Sequence, residues 1–177
     1  MEIIDRKISA LQIELTEYAQ SLKFEELCEF SMTKLDHIPW GNISFQGLYL
    51  IEIKNDFTHE VFKDWADDFC FRWTDPEYVK RWVSKPKKMR LAKHQELKDW
   101  IPLYIGKSKK IKDRILEHIY LKLDQPTTGL KLKVRENMQN ETFRISYINI
   151  PTQNYDWVMP KLEKILRDRL NPIIGRQ

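Results

Sequence analysis

Three short runs of strand-forming residues, 44–53, 102–106 and 143–148, are set among segments whose apolar residues recur every three or four positions. That alternation leaves room for only a small sheet with helices packed on it. Ile4, Ile8, Leu11, Leu15, Tyr18 and Leu22 form one helical stripe, and Leu27 and Phe30 prolong it toward the turn residues Pro39 and Gly41. Ile111, Ile115, Ile119 and Leu123 mark a second helix, and Leu130, Val134 and Met138 a third over residues 130–138. Leu162, Ile165, Leu166 and Leu170 mark the last, which the pattern starts at Pro160. The order strand, strand, helix, helix, strand, helix predicts an α+β fold. Residues 1–40 read as an N-terminal helical extension and 41–177 as one domain, with a helical, basic insertion at 57–100 that holds Trp65, Trp73, Trp82 and Trp100.

Composition sets bounds on this reading. Apolar residues make up 42% of the 177 and charged residues 32%, as in an ordinary globular protein, so disorder is not expected. The net charge of +4 suits a nucleic-acid partner only slightly better than any other. Two isolated cysteines, Cys28 and Cys70, are too few for a zinc ribbon or a disulfide framework and point to a reducing compartment. No apolar run reaches membrane-spanning length, and the first residues lack the pattern of a secretion signal. A cytoplasmic protein without a membrane partner is the expectation.

Within this frame, Gly47-Leu48-Tyr49 lies in the first strand run, Leu103-Tyr104-Ile105-Gly106-Lys107 covers the end of the second and the turn after it, and Arg114 and His118 lie one turn apart on the helix that follows. Glu163 stands on the last helix, nine residues before Pro172. In order and spacing these elements resemble the GIY-YIG nucleases over residues 43–175. The resemblance implies a small, mainly antiparallel sheet and a metal-dependent DNA endonuclease, with Tyr49, Tyr104, Lys107, Arg114, His118 and Glu163 as its site. Two features depart from the family pattern. Tyr49 and Tyr104 are 55 residues apart (104 minus 49), where simpler members have a short turn; the long insertion inclines the reading toward a restriction-like, sequence-specific enzyme. The family's terminal asparagine has no direct match, so Asn171 would have to serve from the other side of Pro172.

Phosphodiester hydrolysis explains why such residues would gather: water must lose a proton, and the phosphate must carry extra negative charge. Tyr49 is the candidate for activating water, provided that nearby cations lower its phenol from a pKa of ~10, with Lys107 as their source. Tyr104 would orient water or phosphate. Arg114 offers a planar fork to phosphate oxygens, and His118 could hold phosphate or share in proton transfer. Glu163, the one carboxylate of the motif, suits a single magnesium ion, for which manganese could substitute. Lys85, Lys87, Lys88 and Arg90 would neutralise phosphates of double-stranded DNA, and a homodimer on a symmetric target or two successive nicks would cut both strands.

Taken singly, each element has a plainer reading. The tyrosines could be strand aromatics, Arg114 and His118 a solvated helix flank, Glu163 a surface pair with its lysine neighbours, and the tryptophans a satellite core. A catalytically inactive DNA-binding module, a phage, mobile-element or repair nuclease, and a protein-interaction domain are the rival functions.

Overall fold

The computed structural model describes residues 1–175, so the last two residues of the expected domain lie outside the described residues. Four strands, β1 (Glu25–Phe30), β2 (Gly47–Lys54), β3 (Trp100–Ser108) and β4 (Phe143–Asn149), form one antiparallel sheet in the order β1-β4-β2-β3. Five helices flank it: α1 (Glu2–Ser21), α2 (Phe62–Trp73), α3 (Lys88–Leu91), α4 (Ile111–Tyr120) and α5 (Tyr155–Leu170). The α+β class with a small antiparallel sheet is thus the observed architecture. No helix among the described residues is long and apolar enough to cross a membrane.

Strand β2 organises the core, because its residues are buried on both faces. Leu48 and Leu50 enter one apolar cluster with Ile105, Ile148, Met159, Leu162 and Leu166. Tyr49, Ile51 and Ile53 point the other way, toward Trp65, Phe69 and Trp73 of α2 and Ile111, Ile115 and Ile119 of α4. The period of two along one strand therefore assigns α5 to one face and α2 with α4 to the other. Burying Met159, Leu162 and Leu166 fully contributes about 1.5–3 kcal/mol each.

Three segments differ from their sequence reading. Residues 25–30 are a strand rather than a continuation of the first helix, pairing with β4 around a bulge between Glu26 and Cys28. The sheet therefore begins before residue 40, inside the expected N-terminal extension. Residues 130–138 form two 3-10 turns instead of a helix. There Lys131 takes a left-handed φ of 56°, and its buried Nζ donates to the carbonyl oxygens of Lys122 (2.8 Å) and Gln125 (2.6 Å). Within the segment, the Leu130 N–H donates to His118 and the Leu130 carbonyl accepts from Arg135 Nε, so both are committed to side chains. The last helix starts at Tyr155, five residues before Pro160. Buried Tyr155 and Met159 hold that first turn and a half against the sheet, which outweighs the amide that proline lacks.

One face of α2 carries core residues of the insertion, whose other residues are mostly exposed or half-buried. Phe62, Trp65, Phe69 and Trp73 stack in succession along α2, with ring centroids 5.9, 5.1 and 5.3 Å apart. The plainer reading of Trp65 and Trp73 is the observed one. Beyond α2 the chain is laced to the body, Val83 bridging to Gly129 and Pro86 to Ile174. The C-terminal segment in turn lies along the open edge of β3, Ile173 and Ile174 donating to the carbonyls of Pro102 and Leu103 (2.9 Å each).

Candidate functional site

A cleft of about 360 Å³ opens beside β3. Tyr49, Tyr104, Lys107, Arg114 and Glu163 all line it, joined by Lys85 and Lys87 from the insertion. Residues from β2, β3, α4 and α5 thus converge on one depression.

The tyrosines are set by register and by one glycine. Tyr49 on β2 lies directly opposite Gly106 on β3, and its ring crosses the space where a side chain at 106 would stand. A Cβ there would meet Tyr49 Oη at 2.3 Å and Cζ at 2.5 Å. Glycine at 106 is therefore a steric condition for where Tyr49 points. Tyr104 stacks on Tyr49 with centroids 6.1 Å apart, and Gly175, at φ 116°, packs close on the Tyr104 ring.

Behind Tyr49 lies His118, fully buried, with Nε2 2.9 Å from the phenol oxygen. Its Nδ1 accepts the backbone N–H of Leu130 at 3.2 Å. An amide can only donate, so Nδ1 carries no proton. Burial, with the nearby Arg114 charge second, holds the His118 pKa well below its usual value. The neutral ring must then be protonated on Nε2, which donates to Tyr49. His118 is not exposed to the cleft, so it neither holds phosphate nor takes a proton from Tyr49 in this arrangement. It is a positioning residue.

Electrostatics at Tyr49 run against expectation. Burial, with Tyr104 second, pushes its phenol well above ~10, and the opposing Arg114 charge only tempers the rise. Arg114, rather than Lys107, supplies that cation. Its guanidinium is held in place by Glu117 and by donation to the Thr128 carbonyl at 2.6 Å. Burial works against its charge, but proximity to Tyr49 and the hydrogen bond to Glu117, with Tyr104 next, outweigh it and raise its pKa, so it stays charged.

Lys107 faces Glu163 instead, with Nζ 3.9 Å from Oε2; Arg167 approaches the other oxygen at 3.6 Å. Both distances exceed a hydrogen bond. The Glu163 side chain is only 17% exposed, yet both oxygens keep their acceptor capacity toward the cleft. Such a carboxylate fits one hard cation that keeps several waters. Among the described residues no group of three or more acids, histidines or cysteines could hold a metal.

The expected DNA contacts divide. Lys85 and Lys87 line the cleft, whereas Lys88 is exposed at the start of α3 and does not line it. Arg90 is spent on structure: it donates to the Arg167 carbonyl (2.7 Å), Asn171 Oδ1 (3.2 Å) and Asp168 (2.7 Å), closing the end of α5. Asn171 itself is the left-handed cap of that helix and accepts from Arg90, so it does not take the place of a site asparagine. Arg81, Ser84, Thr128 and Arg167 line the cleft without having been singled out from sequence. Only Arg167 had a signal, its i+4 spacing from Glu163 on one helix. No family model, curated protein or solved structure matches the chain, and the site is therefore read from its own geometry.

Proposed function

We propose that the chain is a metal-dependent DNA endonuclease of the GIY-YIG type, restriction-like in cutting a specific duplex sequence. One observation carries the reading: Tyr49, Tyr104, Arg114 and Glu163, spread over more than a hundred positions of sequence, line a single cleft. Strand aromatics and solvated helix flanks have no reason to share one depression with a carboxylate that meets its cationic neighbours only beyond hydrogen-bond distance.

In this proposal Glu163 holds a magnesium or manganese ion, which offsets the charge of the scissile phosphate when bound. Arg114 binds a non-bridging oxygen of that phosphate, and Tyr104 orients the attacking water. The phenolate form of Tyr49, its own proton already lost to solvent, takes a proton from the attacking water as the water oxygen bonds to phosphorus; the phosphorus–oxygen ester bond breaks and the leaving alkoxide takes a proton from solvent. The Nε2–H of His118 steadies negative charge on Tyr49, replacing the cation that burial excludes from that side. Lys85, Lys87 and Arg81 carry flanking phosphates.

Supercoiled plasmid incubated with the protein and magnesium tests this. Wild-type chain should nick it, chelation should stop the reaction, and Glu163→Gln should leave DNA binding intact while removing nicking. Magnesium-dependent nicking by Glu163→Gln at the wild-type rate would overturn the assignment. Binding with no nicking by the wild-type chain would favour the inactive-module reading.

A further inference from the structure

The first two-thirds of α1 stand clear of the body. Residues 1–14 are exposed throughout, and only the base of the helix is anchored, through Ala19, Leu15 and Leu22 in the α5 cluster and through Arg169, which donates to the carbonyls of Ala19 (3.0 Å) and Leu22 (3.0 Å). The free part is not polar. Ile4 is 55% exposed, and Ile8 and Leu11 45% each, in line with half-buried Leu15 and with Tyr18. Their spacing of four, three, four and three is a heptad seam. A lone helix of this length is marginal in water, and an apolar seam on it gains stability only when covered.

We infer that this seam is covered by the same seam of a second copy, running antiparallel. The charges beside it are self-complementary in that direction. Lys7 and Glu14 occupy the same flanking heptad position on one side of the seam. About a two-fold axis near residues 9 and 10, Ile8 meets Leu11 and Ile4 meets Leu15, and Lys7 of each copy converges on Glu14 of the other. A parallel pair would set Lys7 against Gln12 and Glu14 against Ala19, with no ion pair gained. Pairing through the neighbouring sheet edge is disfavoured, because β1 presents Glu25, Glu26 and Glu29. Such a closed, isologous interface gives a dimer and no larger assembly. Its existence does not depend on the chemistry of the cleft; its use, one cleft for each strand of a duplex, rests on the nuclease reading.

Sedimentation of the full chain without DNA tests the dimer separately from any cleavage. The wild-type chain should sediment at twice 21.5 kDa. Leu11→Asp should give the single mass with unchanged near-UV circular dichroism, since residue 11 is exposed and belongs to neither apolar cluster of the body. Lys7→Glu should weaken association by at least about tenfold, and the swap Lys7→Glu with Glu14→Lys should restore it to within about threefold. A chain that stays monomeric at tens of micromolar, a dimer indifferent to Leu11→Asp, or a swap that fails to restore association would each overturn the inference.

Discussion

Replacing Gly106 with alanine should displace Tyr49 and with it the centre of the site. The added Cβ would lie 2.3 Å from Tyr49 Oη and 2.5 Å from Cζ, and the ring sits in a packed core with 1% exposure. Since all three contacts under 3.0 Å are to the ring and its hydroxyl, the tyrosine must swing out or the two strands must part. Overpacking of this kind costs about 1–3 kcal/mol. The 2.9 Å bond to His118 is lost as well, adding about 1 kcal/mol. Urea denaturation should therefore show a loss of about 2–4 kcal/mol, and nicking should fall at least about a hundredfold, as expected when a reacting group is misplaced by an ångström. Gly41, where an added Cβ meets nothing within 4 Å, is the control and should tolerate alanine. In a Tyr49→Ala background the same Gly106→Ala change should cost almost nothing, leaving a coupling energy of about 2–4 kcal/mol. Equal costs in the two backgrounds would refute the steric argument.

Other outcomes follow from charge. His118 is neutral in the fold with a lowered pKa, so its contribution is complete above the unfolded value of ~6.5 and is lost as pH falls below it. The wild-type chain should lose up to about 1.4 kcal/mol per pH unit from this group, and His118→Gln should lack that share. His94, also lowered by burial, titrates in both proteins and cancels in the difference. Because burial raises Tyr49, single-turnover nicking should climb with pH and show no plateau below about pH 10; a plateau near neutrality would point to another base. Arg90→Ala should cost about 2 kcal/mol of stability and leave the salt dependence of DNA binding unchanged. Lys87→Ala should do the reverse, lowering the slope of log affinity against log salt by about 0.9.

The run 44–53 made β2 legible as a strand, though not that its alternating residues serve two cores, and the likeness to the GIY-YIG nucleases named side chains that line one cleft. Order and spacing carried that much for Tyr49, Tyr104, Arg114 and Glu163. The segment 25–30 was not legible, because Leu27 and Phe30 fit a helical period as well as an edge strand, and pairing with β4 decided between them. Nor could the roles of His118 and Arg90 be read. Both depend on backbone partners distant in sequence: the Leu130 amide fixes the tautomer of one, and the end of α5 captures the other. Local pattern does not encode such contacts. Burial likewise reversed the expected direction at Tyr49, because a phenol that reaches a cleft from beneath a neighbouring strand loses more from desolvation than one guanidinium returns.

The central claim is that the phenol and the carboxylate act on the same phosphate, and residues acting as one unit are not additive. Single-turnover nicking rates of Tyr49→Phe, Glu163→Gln and the double variant measure this directly. Each single change should slow nicking at least about a hundredfold, and the double variant should be no slower than the worse of the two. Rates near wild type in either single variant, or losses that multiply in the double, would contradict a shared centre.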